Sequence, residues 1–189
     1  MEKRHRVFVA INLPEEVKRE LFNYSEKWLE LPAKWTPKDN LHITLEFLGA
    51  LTDEEVGEVC VAVKEVAERH NSFSLNLNKI LYGPPKKMPP KMVWAEGDKS
   101  EELSELREDL EKSLTESVRF VPENRTFAPH ITLARISAME FRVIEPEERP
   151  EINESIDLMF TVESIEVMES VLKRGGPVYT ILESHTLGE

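Results

Sequence analysis

Residues 41–49 read LHITLEFLG and residues 129–135 read PHITLAR, so the tetrapeptide His-Ile-Thr-Leu occurs twice in a chain with five histidines among 189 residues. β-Branched and aromatic residues fill both stretches, and Gly49 stops the first, so each reads as a strand. Side chains alternate across a strand, so His42 and Thr44 share one face and Ile43, Leu45 and Phe47 the other. By the same rule His130 and Thr132 lie opposite Ile131 and Leu133. Each copy offers an imidazole beside a hydroxyl, with apolar neighbours on the reverse face to anchor it in a core. Arg135, five residues after His130, alternates onto the wrong face and reaches the site only from a strand end or a bulge.

Working outward, both copies follow matching elements. The run VFVAI, a helix and then LHITLEFLG repeat in order as MVWAEG, a helix and FAPHITLAR. Val7 precedes His42, and Val93 precedes His130, by nearly equal intervals. Such self-similarity indicates two alike units, about 1–90 and 91–189, within one domain spanning 1–189. The first helix is expected from Pro14 to about Leu29, with Asn12 as cap. LPAKWTPKDN reads as a loop. Thr52 with Glu55 three residues on forms a capping box at the start of the second helix. Leu103, Leu106 and Leu110 mark the apolar stripe of the third. FSLNLNKI, RTFAPHITLARI, FTVESIEVMESV and PVYTILESHTL read as strands, while YGPPKKMPPK and EPEERPE read as loops. The sum is an α+β fold of two pseudo-symmetric lobes, each an antiparallel sheet flanked by helices, with strands of the second half free to add to the first lobe's sheet.

Composition narrows the function. The formal net charge is −12, from 36 Asp and Glu against 24 Lys and Arg. The lack of a basic stripe argues against a broad duplex-binding surface, although a local cluster of donors can still hold one terminal phosphate. No apolar run approaches the roughly 18 residues of a membrane span, and the N-terminus lacks a signal-peptide pattern, so a cytoplasmic protein is expected. Cys60 is alone, which excludes an internal disulfide. The absence of Gln and the Glu/Lys-rich surface lean toward a thermophilic source.

Two imidazoles and two hydroxyls converging on a small anion suit the opening of a phosphodiester by water. One group must take the water's proton and another must protonate the departing oxygen, on opposite sides of phosphorus, and histidine can fill either role near neutral pH. Thr hydroxyls and an arginine can stabilise the charge on the non-bridging oxygens. Two histidines leave a metal site short of its usual third protein ligand, so neither metal nor cofactor is expected. His5, His70 and His185 read as solvated or helix-capping. A duplication that preserved only the core would retain Ile and Leu, but gives no reason to retain His and Thr on the other face.

FVAINLP, LHITLEFLG, MVWAEG, FAPHITLAR, VMESVL and GGPVYTIL resemble, in order, the signature segments of the two-histidine phosphoesterases, over nearly the whole chain. The nearest resemblance is to their RNA 2′,3′-cyclic phosphodiesterase branch, historically named 2′-5′ RNA ligase. The resemblance implies a bilobal fold with the site in the central cleft. It implies His42 as proton donor to the leaving oxygen, His130 as proton acceptor from water, and phosphate held by Thr44, Thr132 and Arg135. Tyr179 is a candidate cleft residue. The implied reaction is hydrolysis of an RNA-terminal 2′,3′-cyclic phosphate to a 2′-phosphate, with reversible 2′-5′ ligation of tRNA halves as a weaker activity, in a monomer. Lys91 departs from the arginine often found before this strand in the family. A relative acting on small 2′-5′-linked or cyclic nucleotides is the second reading, and a non-catalytic RNA or nucleotide binding module the third.

Overall fold

The two His-Ile-Thr-Leu stretches lie on neighbouring antiparallel strands, and the chain is arranged around that pair. The computed structural model describes residues 3–122 and 127–188. Its strands are β1 (His5–Asn12), β2 (Ala33–Trp35), β3 (His42–Leu51), β4 (Phe73–Gly83), β5 (Met92–Gly97), β6 (Ile131–Ile136), β7 (Asn153–Val162), β8 (Ser164–Lys173) and β9 (Gly176–Thr186). Its helices are α1 (Glu15–Asn23), α2 (Asp53–Ala67), α3 (Glu101–Ser117) and α4 (Ala138–Val143). The architecture is α+β, as the sequence predicts.

The strands form one antiparallel sheet in the order β7-β4-β5-β6-β3-β1-β8-β9, with β2 also on β6. Its two halves meet through a single residue pair, Ile43 with Ile131. The cause is visible on β6. Its first residue pairs with β3, but Ala134, Arg135 and Ile136 pair with β2, which takes the edge that β3 would otherwise fill. Thr36, just after β2, reinforces this by donating its N–H to the Leu133 carbonyl at 2.8 Å and its hydroxyl to the Thr132 carbonyl at 2.8 Å. The halves therefore part on either side of the motif, which sits at their junction. Rather than facing each other across a gap, the motif strands are adjacent. β4, from the first half of the chain, lies between β5 and β7, whereas β8 and β9 extend the half containing β1 and β3.

The face opposite the motif histidines is covered by α2 and α3, which pack on each other, α2 also touching β1, β3, β8 and β9, and α3 touching β3. Val59, Val63 and Val66 of α2 and Leu103, Leu106, Leu110 and Leu114 of α3 recur at three- and four-residue steps and are at most 2% exposed. Burying each such side chain contributes about 1.5–3 kcal/mol. Thr52 caps α2 as predicted: its hydroxyl accepts from the Glu55 N–H at 3.2 Å, and the Glu55 carboxylate accepts from the Thr52 N–H at 2.8 Å.

Several boundaries differ from the sequence reading. α1 ends at Asn23, in a 3-10 turn over Tyr24–Glu26, and its cap is Pro14 without a side-chain hydrogen bond, not Asn12. Part of the expected loop LPAKWTPKDN is strand β2. Helix α4 has no counterpart in the reading; it is capped by the Ser137 hydroxyl, which accepts from the Glu140 N–H, and buries Phe141. Strand β6 begins at Ile131, and Arg125 and Thr126 of the expected RTFAPHITLARI strand lie outside the described residues.

Candidate active site

Register carries the site. With Ile43 opposite Ile131 in an antiparallel pair, one further step each way sets His42 opposite Thr132 and Thr44 opposite His130. All four side chains rise from the same face, and directly opposed residues bring their Cβ atoms to roughly 4.5–5.5 Å. A local twofold axis through the Ile43–Ile131 pair thus relates the two copies.

Each copy then carries a bulge at the same letter. On β3 the partners step from Glu46 (with Val9) to Thr44 (with Ala10), leaving Leu45 unpaired; on β6 they step from Ala134 (with Val93) to Thr132 (with Trp94), leaving Leu133 unpaired. A bulge shifts the alternation by one residue. Leu45 and Glu46 are consequently both buried, as are Leu133 and Ala134. The residue after each pair turns to the histidine face. In the second copy that residue is Arg135, so the bulge that its reach requires is present. In the first it is Phe47, which is 61% exposed, contrary to the simple alternation that would bury it. The buried Glu46 carboxylate meets Arg107 of α3 at 2.6 Å. The Arg107 guanidinium in turn lies 5.2 Å from the Phe127 ring, just before the second motif. A buried charge of this kind requires its partner, because an uncompensated one is costly.

Both imidazoles are oriented by their own backbone. The His42 Nδ1–H donates to the Asn40 carbonyl at 2.7 Å, and the His130 Nδ1–H donates to the Ala128 carbonyl at 2.8 Å, in each case two residues upstream. These bonds assign the tautomer and leave each Nε2 for chemistry. Beyond that the copies diverge. The His42 Nε2 lies 2.9 Å from the Thr44 hydroxyl, which donates to it when the ring is neutral. The His42 ring packs against Phe8 (5.1 Å between centroids) and, edge-on, Tyr179 (5.2 Å). His130 instead lies flat on Trp94, with centroids 3.8 Å apart and planes at 21°. Thr132 turns its hydroxyl to the Met92 sulfur at 3.9 Å, where Arg135 Nη1 also points, at 3.7 Å. Both donors therefore hold only a weak acceptor, and Arg135 has no ion pair among the described residues.

Burial pushes both imidazoles below the ordinary 6.5, because a charged ring is poorly solvated there. For His42 the Asn40 carbonyl opposes the shift, while the positive charges of Lys18, His130 and Arg135 add to it. For His130 the Ala128 carbonyl and Glu96 oppose burial, and Arg135 reinforces it. Without an anion in the cleft, both rings favour the neutral form.

Tyr179 lines the cleft beside His42. Trp94 is the residue that the sequence reading missed, since a tryptophan in an apolar strand looks like ordinary core. It is 7% exposed and seats the His130 ring. Gly83 makes room for it: a Cβ there would lie 2.2 Å from the Trp94 ring. The other histidines are bound rather than solvated, and away from the cleft. His5 sits between Glu169 (2.6 Å) and Asp53 (2.8 Å), His70 pairs with Asp109 at 3.0 Å, and His185 pairs with Glu183 at 3.2 Å. Cys60 is buried, and its thiol is pushed up to about 11 by desolvation.

The sequence signature described as LigT like Phosphoesterase matches twice, over residues 11–94 and 96–179, once on each copy of the motif. The chain belongs to the LigT-like phosphoesterase family. It is 35% identical over 188 residues, covering 96% of this chain and 90% of its relative, to an RNA 2′,3′-cyclic phosphodiesterase of Thermus thermophilus. It is 28% identical over 182 residues, 94% and 92% of the two chains, to the protein of that name in Thermotoga maritima. A crystal structure of a Thermus thermophilus protein superposes with a TM-score of 0.83 at 31% identity, over 97% of this chain and 99% of the other. E. coli LigT complexed with 3′-AMP superposes with a TM-score of 0.80 at 25% identity, over 99% and 100%. No helix of this LigT-like chain is long and apolar enough to cross a membrane among the described residues.

Proposed function

We propose that the chain hydrolyses the 2′,3′-cyclic phosphate at an RNA 3′ end to a 2′-phosphomonoester, with the paired His-x-Thr motifs as the reacting groups. The observation that carries this reading is the twofold arrangement at the sheet junction. It sets one imidazole on either side of a shared anion position, each with Nδ1 tied back and Nε2 left for proton transfer. Water attacks phosphorus as the His130 Nε2 takes its proton. The P–O3′ bond breaks as the His42 Nε2–H protonates O3′, giving a 3′-hydroxyl and a 2′-phosphate. Thr44, Thr132 and Arg135 donate to the non-bridging oxygens, where charge accumulates. His130, stacked on Trp94 and with no hydrogen bond to Nε2 among the described residues, suits the base. His42 acquires its proton as the anionic substrate enters, since a nearby negative charge favours the charged ring. A 5′-hydroxyl in place of water joins two RNA ends 2′ to 5′ by the same transfers.

Because both halves of the site come from one chain, the enzyme acts as a monomer, and we place it in the cytoplasm. The two alike units, about 1–90 and 91–189, are taken to be a duplication whose strands have exchanged between lobes. The double match of the family signature supports this. The net charge of −12 and the 3′-AMP complex of E. coli LigT favour, as a second reading, turnover of small cyclic or 2′-5′-linked nucleotides.

The test is a substrate panel of RNA ending in 2′,3′-cyclic phosphate, free 2′,3′-cyclic nucleotides and 2′-5′ dinucleotides, assayed with chelator present. The expected product is a 2′-phosphate, formed at an undiminished rate in chelator because imidazoles supply both proton transfers. A 3′-phosphate product, or activity lost to chelator and restored by Zn²⁺ or Mn²⁺, would contradict the assignment.

A further inference from the structure

One end of the cleft gathers more positive charge than the chemistry above uses, since only Arg135 of the cations there is engaged by the reacting phosphate. Lys34 of β2 is directly opposite Arg135 of β6, and neither is in an ion pair among the described residues. Like charges placed opposite each other on a sheet repel, so the pair is destabilising unless something anionic lies over it. The Lys34 ammonium also donates to the Gly175 carbonyl at 2.8 Å, in the turn joining β8 to β9. Gly176 allows that approach: it has φ +123°, and a Cβ there would lie 2.9 Å from the Lys34 Nζ. Asn40 ties the same hairpin down by donating from Nδ2 to the Pro177 carbonyl at 2.8 Å. Two exposed cations, Lys173 and Arg174, immediately precede the glycine whose carbonyl Lys34 holds. Lys34, Arg135 and Ser137 line a groove of about 540 Å3, on which Glu140 is the one carboxylate among the described residues. That volume is within the range that holds a nucleotide.

Position decides the occupant. On β6, Arg135 lies beyond Thr132, which register sets opposite His42. The Lys34–Arg135 groove is therefore at the His42 end of the cleft. If His42 protonates the departing O3′, the ribose that carries O3′ is on this side. The strand leading to that ribose through its 5′ oxygen must leave across the groove. The geometry points to Lys34 and Arg174 as a site for the RNA phosphate immediately upstream of the terminal nucleotide, which makes an RNA end, rather than a free cyclic nucleotide, the preferred substrate. This rests on the function proposed above and deepens it. The chain is acidic overall, yet the place where the strand passes presents cations that form no ion pair among the described residues.

The experiment compares the intact chain on a trinucleotide ending in 2′,3′-cyclic phosphate and on the corresponding cyclic mononucleotide. The trinucleotide is expected to have the higher kcat/KM, with the gain in KM. Its log KM against log salt should be steeper by about 0.7 for each upstream phosphate engaged. Arg174→Ala and Lys34→Ala should each lower the trinucleotide-to-mononucleotide ratio roughly tenfold, the order of one charge-assisted contact. Lys34→Arg should retain the ratio. Arg174 makes no hydrogen bond among the described residues, so its variant separates charge from folding. Affinities for the two 2′-phosphate products, measured by competition against a fluorescent oligonucleotide, accompany the kinetics. Equal kcat/KM and equal salt slopes for the two substrates, or a ratio untouched by both alanine variants, would overturn the site. Absent turnover on both substrates with the affinity gap intact would overturn the catalytic reading and uphold the strand site; absent turnover without the gap would overturn both.

Discussion

The two copies of His-Ile-Thr-Leu share a backbone and differ in what surrounds it. Register, bulge and the upstream carbonyl on Nδ1 are the same for His42 and His130. The seats are not. His42 lies among Phe8 and Tyr179 with a hydroxyl on Nε2; His130 lies flat on Trp94. The residue after the bulge is Phe47 in one copy and Arg135 in the other. Equivalent strands thus present two imidazoles on one face, and their neighbours make the surroundings unequal. In the function proposed here, symmetry supplies in-line placement on either side of phosphorus, and the departures from symmetry supply an acid and a base.

The sharpest way to break that comparison is to remove one imidazole at a time. His42→Ala and His130→Ala should each lower kcat/KM by about 10²–10⁴-fold with the fold intact by circular dichroism. The double variant should lose less than the product of the two, since the roles act as a unit. Full multiplicative loss would mean that the two histidines act independently. Thr44→Ala and Thr132→Ala should lose less, about 10- to 150-fold, because each removes a hydrogen bond to an ionised group, worth about 1.5–3 kcal/mol. Either threonine variant as inactive as His42→Ala would contradict this division between proton transfer and charge stabilisation.

A smaller effect sharpens the asymmetry through pH. The proposed reaction requires one proton on the pair, so kcat/KM should be bell-shaped, with limbs that report the pair. Since burial lowers both rings in the free protein, the kcat/KM maximum should lie on the acid side of 6.5. The kcat maximum should lie at higher pH, because bound phosphate raises both rings. Trp94→Leu opens the seat of His130 and weakens the burial that holds it neutral. Its folded pKa then rises, so protonation of the base intrudes at higher pH and the acid limb should move up. An unchanged acid limb would show that Trp94 does not set the proton affinity of His130.

The α+β class and the shared face of His42, Thr44, His130 and Thr132 were legible because alternation and repetition are properties of residue order. The need for a bulge at Arg135 was legible too, as a conflict between its position and its use. The twin bulge that exposes Phe47 left no such mark, because nothing forced that side chain toward the cleft. β2 was read as a loop because prolines flank it; it is a strand only through its pairing with β6, a contact no local pattern encodes. Trp94 was hidden for the same reason, since an aromatic residue in an apolar strand reads identically whether it fills a core or seats an imidazole.

The claim that the two histidines carry opposite proton transfers is tested most directly with a nitrophenyl phosphodiester, whose leaving group departs without a proton. On it, His42→Ala should recover much of the rate it loses on a cyclic phosphate, while His130→Ala should remain impaired. Recovery by His130→Ala with His42→Ala still impaired would contradict the account and exchange the two roles.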